Sequence, residues 1–225
     1  MTVDTPYASI RPATGVDRRA LLDVLTEAFV DDPLVAWLFP AADERGRLQA
    51  HYYRSLLLDP TAEAYLVGPR EGASVWQLRP AGQASSEEEQ PDSRPAGQDS
   101  GFGASGARLQ ALGQALAQRH PDHEPHLYLA VMGVIGGRRG AGLGTALLRH
   151  RLERADSAGL GAYLEASSPR SRALYLRYGF EDLGEPVRVD DSPLLLPMWR
   201  RPPLPDEALD APSRQSTNNQ RTVRR

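Results

Sequence analysis

Two residue types are missing altogether. The 225 residues include no cysteine, and all 26 basic residues are arginine, so lysine is absent as well. Without cysteine there is no thiol nucleophile, no thiolate metal site and no disulfide. Without lysine there is no Schiff-base amine, and a phosphate loop ending in Gly-Lys-Ser or Gly-Lys-Thr is excluded. Histidine is scarce: His51, His120, His123, His126 and His150 show neither His-x-x-x-His nor His-Glu-x-x-His spacing, so no metal is expected. An excess of charge is lacking too. The formal net charge is −3, which carries no footprint of a nucleic-acid partner. No apolar run is long enough to cross a bilayer, and Met1 to Ile10 has no basic start followed by an apolar stretch. No membrane partner and a cytoplasmic location are the expectations.

Hydrophobic residues make up 40% of the chain, enough for a core, and the length favours one domain with appendages. The stretch 80–106 is rich in Gly, Ser, Pro and Gln, with Glu87-Glu88-Glu89 at its middle. It carries a duplication, in which Arg79-Pro80-Ala81-Gly82-Gln83-Ala84-Ser85 returns as Arg94-Pro95-Ala96-Gly97-Gln98-Asp99-Ser100. Such a segment has little apolar surface to offset its ordering entropy, and it is expected to be a disordered insertion. The polar tail 202–225 is expected to be disordered as well, leaving a folded domain over residues 5–201.

Within that domain, periodicity predicts strands at 7–11, 64–67, 74–78, 127–134, 162–166, 180–183 and 194–199. Helices are expected where Leu21, Leu22, Leu25, Ala28 and Phe29 recur, and over 34–39, 45–58, 109–118, 143–156 and 170–178. Thr14 followed by Asp17 has capping-box spacing, and Pro33 ends the first helix because the residue before proline avoids helical geometry. The order is mixed α/β, with a strand, a glycine turn, a helix and a strand in its second half.

That turn, Arg138 to Thr145, is the chain's clearest candidate site. Gly140, Gly142 and Gly144 allow backbone N–H groups to approach a ligand, and the following helix start supplies free N–H donors and a positive dipole end. The pattern suits a pyrophosphate. The dinucleotide fingerprint Gly-x-Gly-x-x-Gly fits poorly, since Gly142 is followed by Gly144-Thr145, although Glu165 lies at a tempting distance downstream.

The turn resembles the acetyl-CoA loop of the GNAT (GCN5-related) N-acetyltransferase family: Arg or Gln, two residues, Gly, one residue, then Gly or Ala. Here these are Arg139, Gly142 and Gly144, preceded by Met132-Gly133-Val134. A second family motif reads Leu174-Tyr175, then Gly179-Phe180, after Leu164-Glu165-Ala166-Ser167-Ser168. Within the family, His120 to Val134 and Leu164 to Arg170 look most like puromycin N-acetyltransferase and its actinobacterial relatives. The chain departs from the family at Gly136, where Pro is usual, and at Ser168, where Asn is frequent. Serine reaches less far, which implies a weaker hold on the cofactor.

The resemblance implies a GNAT fold, a central twisted and mostly antiparallel sheet of six to seven strands flanked by helices. It implies acetyl-CoA as acyl donor and direct transfer to the primary amine of a small molecule, by a monomer or homodimer. Met132, Gly133 and Val134 are implied to bind the pantetheine arm. Arg139, Gly140, Ala141, Gly142, Leu143, Gly144 and Thr145 are implied to hold the pyrophosphate, and Ser168 to touch the cofactor. Tyr175 is implied as general acid for the departing thiolate, ahead of Tyr178. Glu165 is the best candidate base, with His126 the other choice. Trp37, Phe39, Tyr52, Tyr53 and Trp76 are candidate pocket aromatics. A protein or peptide amine is the alternative acceptor, and a non-catalytic acyl-CoA-binding module is the alternative to an enzyme.

Overall fold

A computed structural model describes residues 9–82 and 100–203. Seven strands form one open sheet in the order β1-β2-β3-β4-β5-β7-β6. They are β1 (Ile10–Pro12), β2 (Glu63–Val67), β3 (Gly72–Arg79), β4 (His126–Val134), β5 (Gly161–Ala166), β6 (Glu181–Asp182) and β7 (Leu196–Arg200). Every pairing is antiparallel except β4 with β5. The helices are α1 (Arg18–Ala28), α2 (Pro33–Leu38), α3 (Ala42–Leu56), α4 (Gly106–Ala117), α5 (Leu143–Ser157) and α6 (Pro169–Leu176). The expected mixed α/β fold is thus present, with element ends within a few residues of those read from periodicity.

Local chemistry explains the boundaries. Thr14 and Asp17 close the expected capping box, with Thr14 N donating to Asp17 Oδ2 at 2.9 Å ahead of α1. Asp32 caps α2, its Oδ1 accepting from Leu34 N at 2.9 Å and Val35 N at 3.1 Å, with Pro33 at the first helical position. Helix α6 ends in a Schellman arrangement: Gly179 has φ +81° and Phe180 N donates to Tyr175 O at 3.2 Å.

Strand alternation sorts the sheet into two faces. One face carries Tyr65, Val67, Trp76, Leu127, Leu129, Ala162, Leu164 and Met198, and packs on Leu147, Leu148, Leu152 and Ala155 of α5. The opposite face carries Leu66, Ala73 and Val75, which pack on Leu21, Leu22, Val24 and Leu25 of α1 and Tyr53 of α3. A third cluster joins Val35, Leu38, Phe39, Leu48, Leu109 and Leu112 beside the sheet.

The segment read as an insertion, 80–106, needs correction at its C-terminal end. Residues 83–99 lie outside the described residues, as do Tyr7 and Ala8 of the expected first strand and most of the tail. Ser100–Ser105, however, forms 3-10 turns, and Phe102 is 2% exposed in the third cluster. Phe102 stacks on Phe39 at 6.3 Å and meets His51 edge-on at 4.7 Å. One aromatic suffices to anchor this glycine-rich stretch, which composition averages hide. Among the described residues, no helix is long and apolar enough to cross a membrane.

Phe102→Ala should therefore destabilise the fold by about 3–5 kcal/mol, on the order of 10 °C in Tm. Thermal unfolding followed by circular dichroism measures this, and a change under 1 °C would remove Phe102 from the core.

Candidate active site

The site begins where two neighbouring strands part. Strands β4 and β5 pair over only three positions, His126 with Gly161, Leu127 with Ala162 and Tyr128 with Tyr163. Beyond Tyr128, β4 continues to Val134 bonded to β3 alone. A bulge helps to turn it: Trp76 pairs with Leu129 and Val75 with Val131, so Ala130 is an extra residue. The edge of β4 facing β5, which includes Met132, Gly133 and Val134, is left with backbone groups free for a ligand. Gly133 has a packing reason as well, since a Cβ there would lie 2.7 Å from Ala28 Cβ and Phe29 Cε2.

The glycine turn lies at the end of this split, on the side of α5. Gly140 and Gly142 adopt φ +89° and +79°, and a Cβ at either would meet nothing within 4 Å. The turn is an open cradle, not a packed corner. The N–H groups of Leu143, Gly144 and Thr145 have no intrahelical acceptor, the first bond of α5 being Ala146 N to Gly142 O at 2.9 Å. Leu143 itself is buried and Ala141 half-buried against the α5 core, which anchors the loop. A cradle of this shape and polarity fits a pyrophosphate.

Two residues assigned to the cofactor are engaged elsewhere. Arg139 donates through Nη2 to Ala28 O at 2.6 Å, capping the end of α1. Its neighbour Arg138 pairs with Glu71 at 2.6 Å. Ser168 is the cap of α6: its Oγ accepts from Ser171 N at 3.1 Å, and Ser171 Oγ accepts from Ser168 N at 3.1 Å.

Tyr175 is buried in the core between α5, α6 and β5, with Phe180 at 5.8 Å. Burial pushes its hydroxyl well above its ordinary value, so it carries its proton throughout the neutral range. The adjacent Leu174 lies within 3.8 Å of the Cβ position of Gly144, which ties α6 to the first turn of α5.

On the opposite face of the sheet sits Glu165. Its Oε2 accepts from Tyr128 Oη at 2.9 Å, while its Oε1 is buried with no hydrogen-bond partner among the described residues. Tyr163 Oη neighbours the same carboxyl without reaching normal hydrogen-bond geometry. Burial raises the carboxyl from 4.5 to about 7, against the lowering effect of the two tyrosines and Arg79. Tyr52 from α3 closes the group, its own hydroxyl pushed up to about 12 by burial and by Glu165.

Of the candidate pocket aromatics, only Tyr52 reaches this carboxyl. Trp76 is fully buried on the α5 face, and Phe39 is core. Tyr53 is buried and accepts from Gln49 Nε2 at 3.0 Å, and Trp37 bonds Asp191 at 2.7 Å. His126 is fully buried with both ring nitrogens bonded, to Glu124 O at 2.9 Å and His120 Nε2 at 3.0 Å. It has no free nitrogen to act as a base. Sequence reasoning missed Tyr128, Tyr163 and His120. The alternation His126-x-Tyr128 and Tyr163-x-Glu165 would have placed four of these side chains on one face. Among the described residues, no three His, Cys, Asp or Glu are grouped to hold a metal ion.

Comparison with known proteins agrees with this architecture. Residues 25–180 match the model of the acetyltransferase (GNAT) family. A structure described as histone acetyltransferase HPA2 and related acetyltransferase, from Corynebacterium glutamicum, is 29% identical with TM-score 0.64, over 88% of this chain and 97% of that one. Arylalkylamine N-acetyltransferase 2 from Aedes aegypti shares the fold at 15% identity and TM-score 0.61, over 85% and 96%. The ribosomal-protein-S18-alanine N-acetyltransferase of Escherichia coli does so at 15% and 0.53, over 87% and 94%.

The raised carboxyl has a measurable cost. The fold prefers neutral Glu165, so its stabilising contribution is full below pH 4.5 and is lost as pH rises through about 7. Glu165→Gln should therefore stabilise the protein more at pH 8 than at pH 4.5, by a difference on the order of 3 kcal/mol that appears as a larger rise in Tm at pH 8. Melting curves of both proteins at the two pH values decide it, and an equal change at both would show an ordinary carboxyl.

Proposed function

The chain belongs to the acetyltransferase (GNAT) family, and from that premise we propose that it transfers an acetyl group from acetyl-CoA directly to the primary amine of a small molecule. The observation that carries this reading is the split between β4 and β5. It has an open glycine cradle and Tyr175 on one face, and a raised, half-bonded carboxyl among tyrosines on the other. The first face suits a nucleotide-linked donor, the second an amine. The likeness of His120 to Val134 and Leu164 to Arg170 to puromycin N-acetyltransferase and its relatives supports a small acceptor.

Each group has a task in this scheme. N–H groups of Gly140 to Thr145 hold the pyrophosphate, and the free edge at Met132 to Val134 bonds the pantetheine amides. Arg139 and Ser168 support the cradle and α6 from behind. An amine nitrogen must be neutral to attack. Glu165, near pH 7, can take the ammonium proton at neutral pH, where an ordinary carboxylate would be too weak a base. The new C–N bond forms as the C–S bond breaks, Tyr175 gives its proton to the departing thiolate, and the second proton shed by the new amide nitrogen passes to solvent, from which the phenol is restored. No acyl-enzyme is involved, in keeping with the absence of cysteine.

The test is thiol release from acetyl-CoA with a panel of small amines, such as phenethylamine and agmatine, beside peptides with free N-termini. Release with small amines is expected. Release with peptides alone would transfer the reading to a protein acceptor, and acetyl-CoA binding without release to any of them would make the chain a binding module. Tyr175→Phe should lower kcat about 10²–10⁴-fold with little change in acetyl-CoA affinity, whereas Tyr178→Phe should be near neutral. Near-normal turnover in Tyr175→Phe would remove it from the acid role. Gly142→Ala, which forces a Cβ into positive φ at the cradle, should weaken acetyl-CoA binding at least tenfold by calorimetry, a loss of about 1.4 kcal/mol.

A further inference from the structure

Behind Glu165 lies a group of side chains that the transfer scheme does not use. Tyr128 and Tyr163 are register partners across β4 and β5, and Glu165 follows Tyr163 by two residues on the same face. The histidines stand behind them. His120, from the turn after α4, presents its ring edge-on to Tyr128 at 5.0 Å and to Tyr163 at 4.5 Å. His126 stands behind His120, with Tyr163 at 6.2 Å and Trp199 at 5.2 Å.

The hydrogen bonds settle the tautomers. Glu124 O can only accept, so His126 Nδ1 carries a proton and its Nε2 is the bare nitrogen. At 3.0 Å from it, His120 Nε2 must therefore donate. Protonating His126 as well would set two N–H groups head to head. The pair is held neutral: burial pulls His120 down to about 3, and His126 is lowered by burial with Arg79 adding to it. On its other side Tyr128 meets the Arg79 guanidinium, 5.6 Å from its ring centre, and Arg79 is itself tied to Asp59 at 3.1 Å and Gln77 Oε1 at 2.6 Å. Tyr128 is thus clamped between a neutral imidazole and a paired cation, which leaves its hydroxyl one direction.

Building on the proposed function, we propose that Tyr128 is a positioning residue for the base, that the His120–His126 pair is its buttress, and that Glu165 Oε1 is the atom that takes the amine proton. Tyr128 Oη engages Oε2, which fixes the carboxyl plane and leaves Oε1 bare. In the transfer the ammonium loses one proton, relayed through a water to the buried Oε1, and Tyr128 keeps its own. The groups facing the carboxyl are Tyr128 from β4, Tyr163 from β5, Tyr52 from α3 and Arg79 from β3. Among the described residues only Tyr128 donates a normal hydrogen bond to it, so removing that hydroxyl destabilises the charged form and moves the titration upward. The histidines act through the tyrosine rings, not on the carboxyl directly.

The experiment is a carbon-13 NMR titration of the full chain labelled at glutamate Cδ, with the Glu165 signal identified by its loss in Glu165→Gln. In Tyr128→Phe the Glu165 midpoint should rise by about one pH unit, tenfold in proton affinity, the effect of one hydrogen bond to a charged group. His120→Ala should move it the same way, and His120→Gln, which retains an N–H donor toward His126, should bring it back toward the parent value. An unchanged Glu165 midpoint in a folded Tyr128→Phe overturns the proposal, as does an unchanged midpoint in folded His120→Ala. The titration needs no acceptor. A protein that shows these shifts but releases no thiol with any amine would keep the positioning role and lose the transferase reading. Thiol release without the shifts would do the reverse.

Discussion

A sheet gains its stability by satisfying backbone groups in pairs, and this molecule gives some of that up at its centre. β4 and β5 stay bonded for three positions and then part, with the bulge at Ala130 helping to turn β4 away. The rest of the structure compensates. Beyond the last paired position, Leu129 and Leu164 are buried against α5 on one face, so apolar packing holds the strands where hydrogen bonds stop. Gly133 lets the end of α1 approach β4 from the other face, and Arg139 ties the glycine turn to the last carbonyl of α1. The free backbone edge is affordable because the elements around it are braced independently.

The split also separates two kinds of chemistry. The α5 face offers an open cradle of N–H groups and a buried phenol. The opposite face offers a carboxyl whose affinity for a proton is raised by burial and tempered by Tyr128. A buried carboxyl with a raised affinity for its proton is costly to maintain. Here the cost appears as a buried, half-satisfied carboxyl, with the neutral His120–His126 pair adding no cation that would pull its proton affinity back down.

Much of the architecture was legible from local pattern. The alternation of β4 and β5, the glycine turn and the capping box of Thr14 and Asp17 are all governed by residues within a turn or two of each other, whereas Pro33, read as the stop of the first helix, instead begins α2, α1 having already ended at Ala28. Site roles were less so. Arg139 and Ser168 stand at motif positions, yet their side chains are taken by Ala28 O and Ser171 N. An arginine or serine near a loop has many local partners, and the motif does not say which one wins. Phe102 was hidden by its glycine-rich surroundings, because a single buried ring scarcely moves a composition average.

What the sequence by itself determined is therefore the order of elements, the phosphate-type turn, the exclusion of cysteine and lysine chemistry, and the family. These depend on residue type and near-neighbour spacing. What only the tertiary structure decided is which side chains share a space. Tyr52, Tyr128, Tyr163 and Glu165 come from three elements, and His120 meets His126 across the turn after α4. Proton affinity depends on burial and on neighbours within a few ångströms, and those are set by how strands pair and helices pack. The sequence supplied a glutamate; packing raised its affinity for a proton.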